Sequence, residues 1–168
     1  MDAVDLLVEC HGRIRSFLAM AARLGAARNE PREAVADVAR QVHRYFTVAL
    51  PLHARDEEDS ILPRLRGLDP AVDRELATMV REHAEHEEPL RALTGACAIL
   101  TGEPERHGEL AETVTRRAAE LSSHFAAHLP REEEVIFPAV RRLLSPAADA
   151  EIVREIRGRR QGIAGTTH

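Results

Sequence analysis

HARDEEDSILP, at residues 53–63, returns as HLPREEEVIFP at residues 128–138. Each copy is a His, three residues, two acids, two further residues, two apolar residues and a Pro. On an α-helix, the residue four positions after the His shares its face, about 6 Å along the axis. Each copy therefore places an imidazole and a carboxylate on one stripe, and the apolar neighbours orient that stripe towards a core. Two such stripes facing each other predict a metal site inside a helical bundle.

The composition indicates a helical protein of one domain. The chain has 168 residues, a length that buries one sizeable core. Ala, Leu, Arg and Glu dominate, Trp is absent, and every basic residue is Arg. This mix favours helix, because sheets are enriched in β-branched and aromatic residues. The net charge of −5 gives no electrostatic reason to expect nucleic acid as a partner.

The sequence also argues against a membrane or secreted location. No apolar run approaches the ~18 residues that indicate a membrane span. The N-terminus is acidic, whereas a secretory signal begins with basic residues. The two cysteines form neither a disulfide framework nor a CxxC motif. We therefore expect a cytoplasmic protein with no membrane partner.

Apolar periodicity predicts four long helices and a short fifth one. Asp69 and Ser145 are expected to cap the third and fifth helices, and Pro51, Pro89 and Pro130 to bend the second, third and fourth. The expected ranges are about 2–27, 32–66, 71–100, 109–144 and 147–160. Short connections favour an all-α fold, an up-down-up-down four-helix bundle over residues 1–145. A short C-terminal helix and a disordered tail are expected over residues 146–168.

The repeat extends to the first and third helices, where His11 and His83 are equivalent. Apolar residues stand seven, four and three positions before each of them and seven positions after it. This spacing predicts that both imidazoles lie on the buried stripe of their helices. The chain is thus a duplicated helix pair, and each pair carries a His followed by His-x3-Glu.

This pattern suits two iron ions held close together. Carboxylates neutralise charge and span two metals, while imidazole suits Fe, Zn, Cu or Ni. The predicted terminal nitrogen ligands are His11, His53, His83 and His128, and the predicted bridges are Glu57 and Glu132.

Neighbouring polar residues have weaker assignments. His86 replaces the Ile14 of the first helix and is expected to point inward, as a seventh ligand or as a hydrogen-bond donor beside the site. His124 is expected beside the site or in a channel that leads to it, and His107 in a solvated loop. The acids that flank the inward-facing Glu residues are expected to face solvent; they are Glu58, Asp59, Glu133 and Glu134.

Over roughly residues 7–142 the chain resembles the hemerythrin-like, or HHE cation-binding, domain. The doubled His-x3-Glu-Glu motif that ends in Pro is the most specific part of this resemblance. It implies a four-helix bundle with two non-haem iron ions, oxo- or hydroxo-bridged, bound by the six residues named above. The oxygen-carrying members have a second His one turn after the third-helix His, whereas here His86 follows His83 at i+3 and Glu87 at i+4. The chain is therefore more similar to bacterial hemerythrin-like proteins implicated in oxygen, nitric oxide or peroxide responses and in iron handling.

We therefore expect a di-iron protein that binds a small diatomic ligand, O2 or NO, or peroxide. Its imidazole-rich donor set stabilises ferric iron less than a carboxylate-rich set, which favours reversible binding over demanding oxidation. A metal- and ligand-binding protein is favoured over an enzyme. The alternatives are a di-iron enzyme with catalase-like or NO-reducing activity and a zinc-binding or structural bundle. The sequence indicates no particular protein partner.

Overall fold

A computed structural model describes residues 1–164 of the chain, and side chains over residues 1–161. All regular structure in this range is helical, without any strand, so the all-α prediction is confirmed. The predicted disordered tail at residues 165–168 lies outside the described residues. The α-helices are α1 (Ala3–Ala26), α2 (Arg32–Arg44), α3 (Leu50–Arg55), α4 (Leu62–Leu65), α5 (Pro70–Gly102), α6 (His107–Arg131), α7 (Phe137–Leu143) and α8 (Pro146–Ala164), with a 3-10 turn at Pro104–Arg106.

The predicted second and fourth helices are interrupted by π-helical segments, which the apolar periodicity does not predict. These segments are Tyr45–Ala49, Asp56–Ile61 and Glu132–Ile136. Each one ends two residues before a proline, at Pro51, Pro63 and Pro138. A proline ring clashes with the carbonyl four residues earlier in an α-helix, and the wider π turn relieves that clash. Each repeat copy thus contains a π turn that ends shortly before its final proline.

The predicted helix caps are confirmed. The side chain of Asp69 accepts a hydrogen bond from the Ala71 amide at 2.9 Å, and that of Ser145 accepts one from the Ala148 amide at 3.2 Å. α8 extends past the expected end at residue 160. None of the helices in residues 1–164 is long and apolar enough to cross a bilayer.

The described residues divide into two compact units, of which the first comprises residues 1–11, 51–83 and 128–164. Its apolar core contains residues of α1, α4, α5, α7 and α8. The helix α8 contributes Ile152 and Ile156. The prediction of a buried stripe is wrong at the position three residues before His11 and at the equivalent position before His83. Val8 is 45% exposed and Val80 39% exposed, although both stand three residues before a buried-stripe His.

The second unit comprises residues 12–50 and 84–127. The rings of Phe17 and Tyr45 stack in it with centroids 4.0 Å apart. Gly25 allows a close approach to α6, because a Cβ at this position would lie 2.7 Å from the Thr115 backbone nitrogen. The prediction that His107 lies in a solvated loop is wrong. It is the first residue of α6, and its Nε2 donates a hydrogen bond to the Leu24 carbonyl oxygen at 2.7 Å.

Candidate metal centre

Six of the seven predicted site residues meet in the first unit. They form two groups whose possible ligand atoms all lie within 4.8 Å of one another. We call the group of His11, His53, Glu57 and Glu132 half-site A. We call the group of His83, His128, Glu57 and Glu132 half-site B. The two half-sites share both carboxylates, as the duplicated motif predicted.

Glu57 and Glu132 each direct one oxygen to each half-site. Glu57 Oε1 lies 3.3 Å from Nε2 of His53, and its Oε2 lies 3.4 Å from Nε2 of His83. Glu132 Oε2 lies 3.2 Å from Nε2 of His11, and its Oε1 lies 3.0 Å from Nε2 of His128. This is the arrangement that two bridging carboxylates require.

The donor atoms of the site are buried without hydrogen-bond partners. Both carboxylates are at most 1% exposed. Among the described residues, no hydrogen bond satisfies either oxygen of Glu57 or Glu132, Nε2 of His11, or either ring nitrogen of His53. Unsatisfied polar atoms in a core are costly unless a ligand or ion compensates them. Oxygen and imidazole donors at this spacing fit two metal ions.

Carboxylates outside the two half-sites orient three of the four imidazoles. Nδ1 of His11 donates to Glu133 at 2.8 Å, and Nδ1 of His83 donates to Glu58 at 2.6 Å. Nδ1 of His128 donates to Glu82 at 2.8 Å. Such partners fix the tautomer and ring orientation of metal-binding His residues. Among the described residues, Nδ1 of His53 has no such partner.

The expectation that Glu58 and Glu133 face only solvent is therefore wrong. Their side chains are 40% and 30% exposed, and each still reaches an imidazole of the other repeat copy. Both lie in π-helical segments, where the larger number of residues per turn keeps position i+5 closer to the inward face than in an α-helix. The proline at the end of each motif was the sequence signal for this geometry.

The carboxylates and imidazoles shift one another's protonation equilibria. Burial opposes the charged form of His11, but Glu132 and Glu57 outweigh it and raise its pKa to about 10. Burial acts likewise on His83, and Glu57 and Glu58 raise its pKa to about 9. Burial lowers the pKa of His53. Burial alone would raise the pKa of Glu57, but the surrounding imidazoles hold it well below its usual range.

His86, the seventh predicted residue, belongs to neither half-site. It is 3% exposed, and its ring packs 4.4 Å from the Phe125 ring and 5.6 Å from the His124 ring, centroid to centroid. These contacts lie within the second unit. Its role as ligand or neighbouring donor stays a prediction.

A match to known families agrees with this geometry. The family model described as the hemerythrin HHE cation binding domain matches residues 2–139 of the chain. The chain belongs to the hemerythrin HHE family. The matched residues include all six members of the half-sites and end before α8. No curated protein matches the chain. Membership implies cation binding, and the two His/Glu groups of this hemerythrin-like chain fit a metal site.

Proposed function

We propose that this chain is a non-haem di-iron protein that binds O2, NO or peroxide. The observation that carries the proposal is the shared pair of buried carboxylates. Glu57 and Glu132 each direct one oxygen to the imidazoles of half-site A and the other to those of half-site B. A single-ion site needs no such division of oxygens.

Some residues of the site would bind the metal ions, and others orient the imidazoles that bind them. The imidazoles of His11 and His53 would hold one ion, and those of His83 and His128 the other. Glu133, Glu58 and Glu82 keep the Nε2 atoms of their partners directed inward. Two bound iron ions would supply a redox-active centre with affinity for small oxygen- or nitrogen-containing ligands. The imidazole-rich donor set supports ligand binding or sensing over demanding oxidation.

We also propose a helix arrangement and a cellular location for the protein. Short connections between long helices support an up-down-up-down four-helix bundle. A cytoplasmic location suits a chain whose two cysteines form no disulfide.

Metal analysis tests this function directly. Protein loaded with iron should hold close to two Fe per chain and show the near-ultraviolet bands of an oxo- or hydroxo-bridged diferric unit. A single tightly held zinc without such bands would contradict the proposal. Stable adducts with O2, NO or peroxide would support binding or sensing, whereas sustained turnover of peroxide or NO would identify an enzyme.

The variant His86→Ala decides the role of this residue. If His86 is a seventh ligand, iron should fall towards one per chain. If it is a donor beside the site, both irons should remain while small-molecule binding changes. His43→Ala is the matched control, because it also removes an imidazole of the second unit, but one for which the sequence predicts no role at the metal centre.

A further inference from the structure

Asp56, the residue before Glu57, is fully buried and attached to α8. Its Oδ1 lies 2.8 Å from Arg159 Nη1, and its Oδ2 lies 2.7 Å from Arg160 Nη2. A buried carboxylate persists only when it is paired and hydrogen-bonded, and here each oxygen has its own guanidinium. The residue next to a shared carboxylate of the metal centre is therefore held by the C-terminal helix.

A second attachment lies further along the same π-helical segment. Arg159 Nη2 donates to Ser60 Oγ at 2.8 Å, and Ser60 Oγ donates to a carboxylate oxygen of Glu155. Arg64 Nη2 also pairs with Glu155, at 2.7 Å. Residues near both ends of the segment Asp56–Ile61 thus contact α8, with Glu57 between them.

In the second repeat copy, the two equivalent positions form an ion pair with each other and not with α8. The position equivalent to Asp56 is Arg131, and the position equivalent to Cys10 is Glu82. Arg131 pairs with Glu82, and Glu82 also accepts from His128 Nδ1. Asp56 and Cys10 supply no cation for such a pair.

In the first copy, the cation that replaces Arg131 comes from α8. Arg160 Nη2 reaches both Cys10 Sγ, at 3.4 Å, and Asp56. α8 therefore supplies the charge that the second copy carries in its own helix.

We propose that α8 is a positioning element for the metal centre: Arg159 and Arg160 hold Asp56 and thereby fix the π-helical segment that presents Glu57 to both half-sites. This role rests on the proposed function, in which Glu57 bridges two ions. Ligands of a metal site must be held to within about 0.5 Å, and a carboxylate that serves two ions tolerates little displacement. α8 lies beyond the residues 2–139 that the family model matches.

The test compares the double variant Arg159→Ala/Arg160→Ala with the double variant Arg154→Ala/Arg157→Ala. The control also removes two guanidinium groups of α8, but Arg154 and Arg157 are exposed and their removal leaves Asp56 paired. Iron retention is measured by chelator competition, and amide hydrogen exchange over residues 56–61 is measured in the metal-free protein. Asp56→Asn is a third variant that keeps the side-chain shape if Arg159→Ala/Arg160→Ala fails to fold.

Arg159→Ala/Arg160→Ala and Asp56→Asn should lose iron at about 10-fold lower chelator concentration than the wild type, the effect expected when a group that supports a ligand is removed. Their amides at 56–61 should exchange faster, while Arg154→Ala/Arg157→Ala should match the wild type in both measurements. Wild-type iron retention and wild-type exchange in Asp56→Asn would overturn the positioning role. Absence of iron from the wild-type protein would instead defeat the proposed function. In that case, faster exchange in Asp56→Asn would still support the role of α8, and unchanged exchange would overturn it.

Discussion

Glu58 Oε1 lies 2.6 Å from Nδ1 of His83, so a carboxylate of the first repeat copy orients an imidazole of the following helix. The second copy has the same arrangement, since Glu133 Oε1 lies 2.8 Å from Nδ1 of His11. Each copy therefore contributes a shared carboxylate through its first Glu and an orienting carboxylate through its second. This division of roles makes adjacent glutamates experimentally distinguishable.

Removing an orienting carboxylate should weaken metal binding without abolishing it. We expect Glu58→Gln and Glu133→Gln each to lower metal affinity about 10- to 100-fold, the usual effect of losing the partner of a ligating His. Affinity is measured by chelator competition. Glu134→Gln is the control, because Glu134 is exposed and belongs to neither half-site. Wild-type affinity in both test variants would contradict the orienting role.

Removing a shared carboxylate should have a larger effect. Glu57→Ala and Glu132→Ala each delete the oxygens directed to both half-sites, so at least one metal ion per chain should be lost. Elemental analysis after iron loading measures the loss, with Glu134→Ala as the matched control. Full iron content and unchanged absorption spectra in both variants together would overturn the site assignment.

The two half-sites should hold their ions unequally. Both imidazoles of half-site B donate Nδ1 to a carboxylate, whereas His53 of half-site A, among the described residues, does not. A His without such a partner is a less basic and less oriented ligand. We expect chelators to remove the two ions in two phases. The ion left in His128→Ala should be released about 10-fold faster than the ion left in His53→Ala. Equal release rates would refute the inequality.

The stability of the metal-free protein should fall at alkaline pH. The pKa values of about 10 for His11 and about 9 for His83 lie above the ordinary value of 6.5. Groups with raised pKa values stabilise the fold fully below 6.5, and this contribution is lost as pH rises through 9 and 10. Thermal melts should show the melting temperature falling by at least about 2–4 °C between pH 7 and 10, the shift that 1 kcal/mol produces at this chain length. In the metal-loaded control the fall should be smaller, because the metal takes the place of the protons.

Chelation should lower the melting temperature at neutral pH. Metal removal leaves both ring nitrogens of His53 without a partner and leaves only protonated imidazoles to offset the charges of Glu57 and Glu132. A ligand present at 100 times its dissociation constant stabilises the folded state by about 2.7 kcal/mol, or roughly 5–10 °C here. Calorimetry before and after chelator treatment, followed by iron re-addition, measures the change. Equal melting temperatures of the metal-bound and metal-free proteins would show that the site does not stabilise the fold.

Local rules in the sequence determined the helices and the inward residues of the motif. Asp69 and Ser145 each start a helix through a side-chain cap, which depends only on residues a few positions away. His53 and Glu57 share a face because helical spacing places i and i+4 together, and the Nε2–Oε1 distance of 3.3 Å agrees. The duplication extends this reasoning to His128 and Glu132, whose Nε2 and Oε1 atoms lie 3.0 Å apart. These predictions needed no knowledge of how the helices pack.

Tertiary structure decided which distant residues meet the motif. The partner of His11 is Glu133, 122 positions away, and the partner of buried Asp56 is the pair Arg159 and Arg160 on α8. Val8 has the spacing of a core residue, yet it is 45% exposed. A helical period orders the residues of one helix around its axis, but it carries no information about the rotation of that helix against its neighbours. That rotation depends on packing among segments distant in the sequence. It decides whether a carboxylate beside the motif reaches an imidazole or faces solvent.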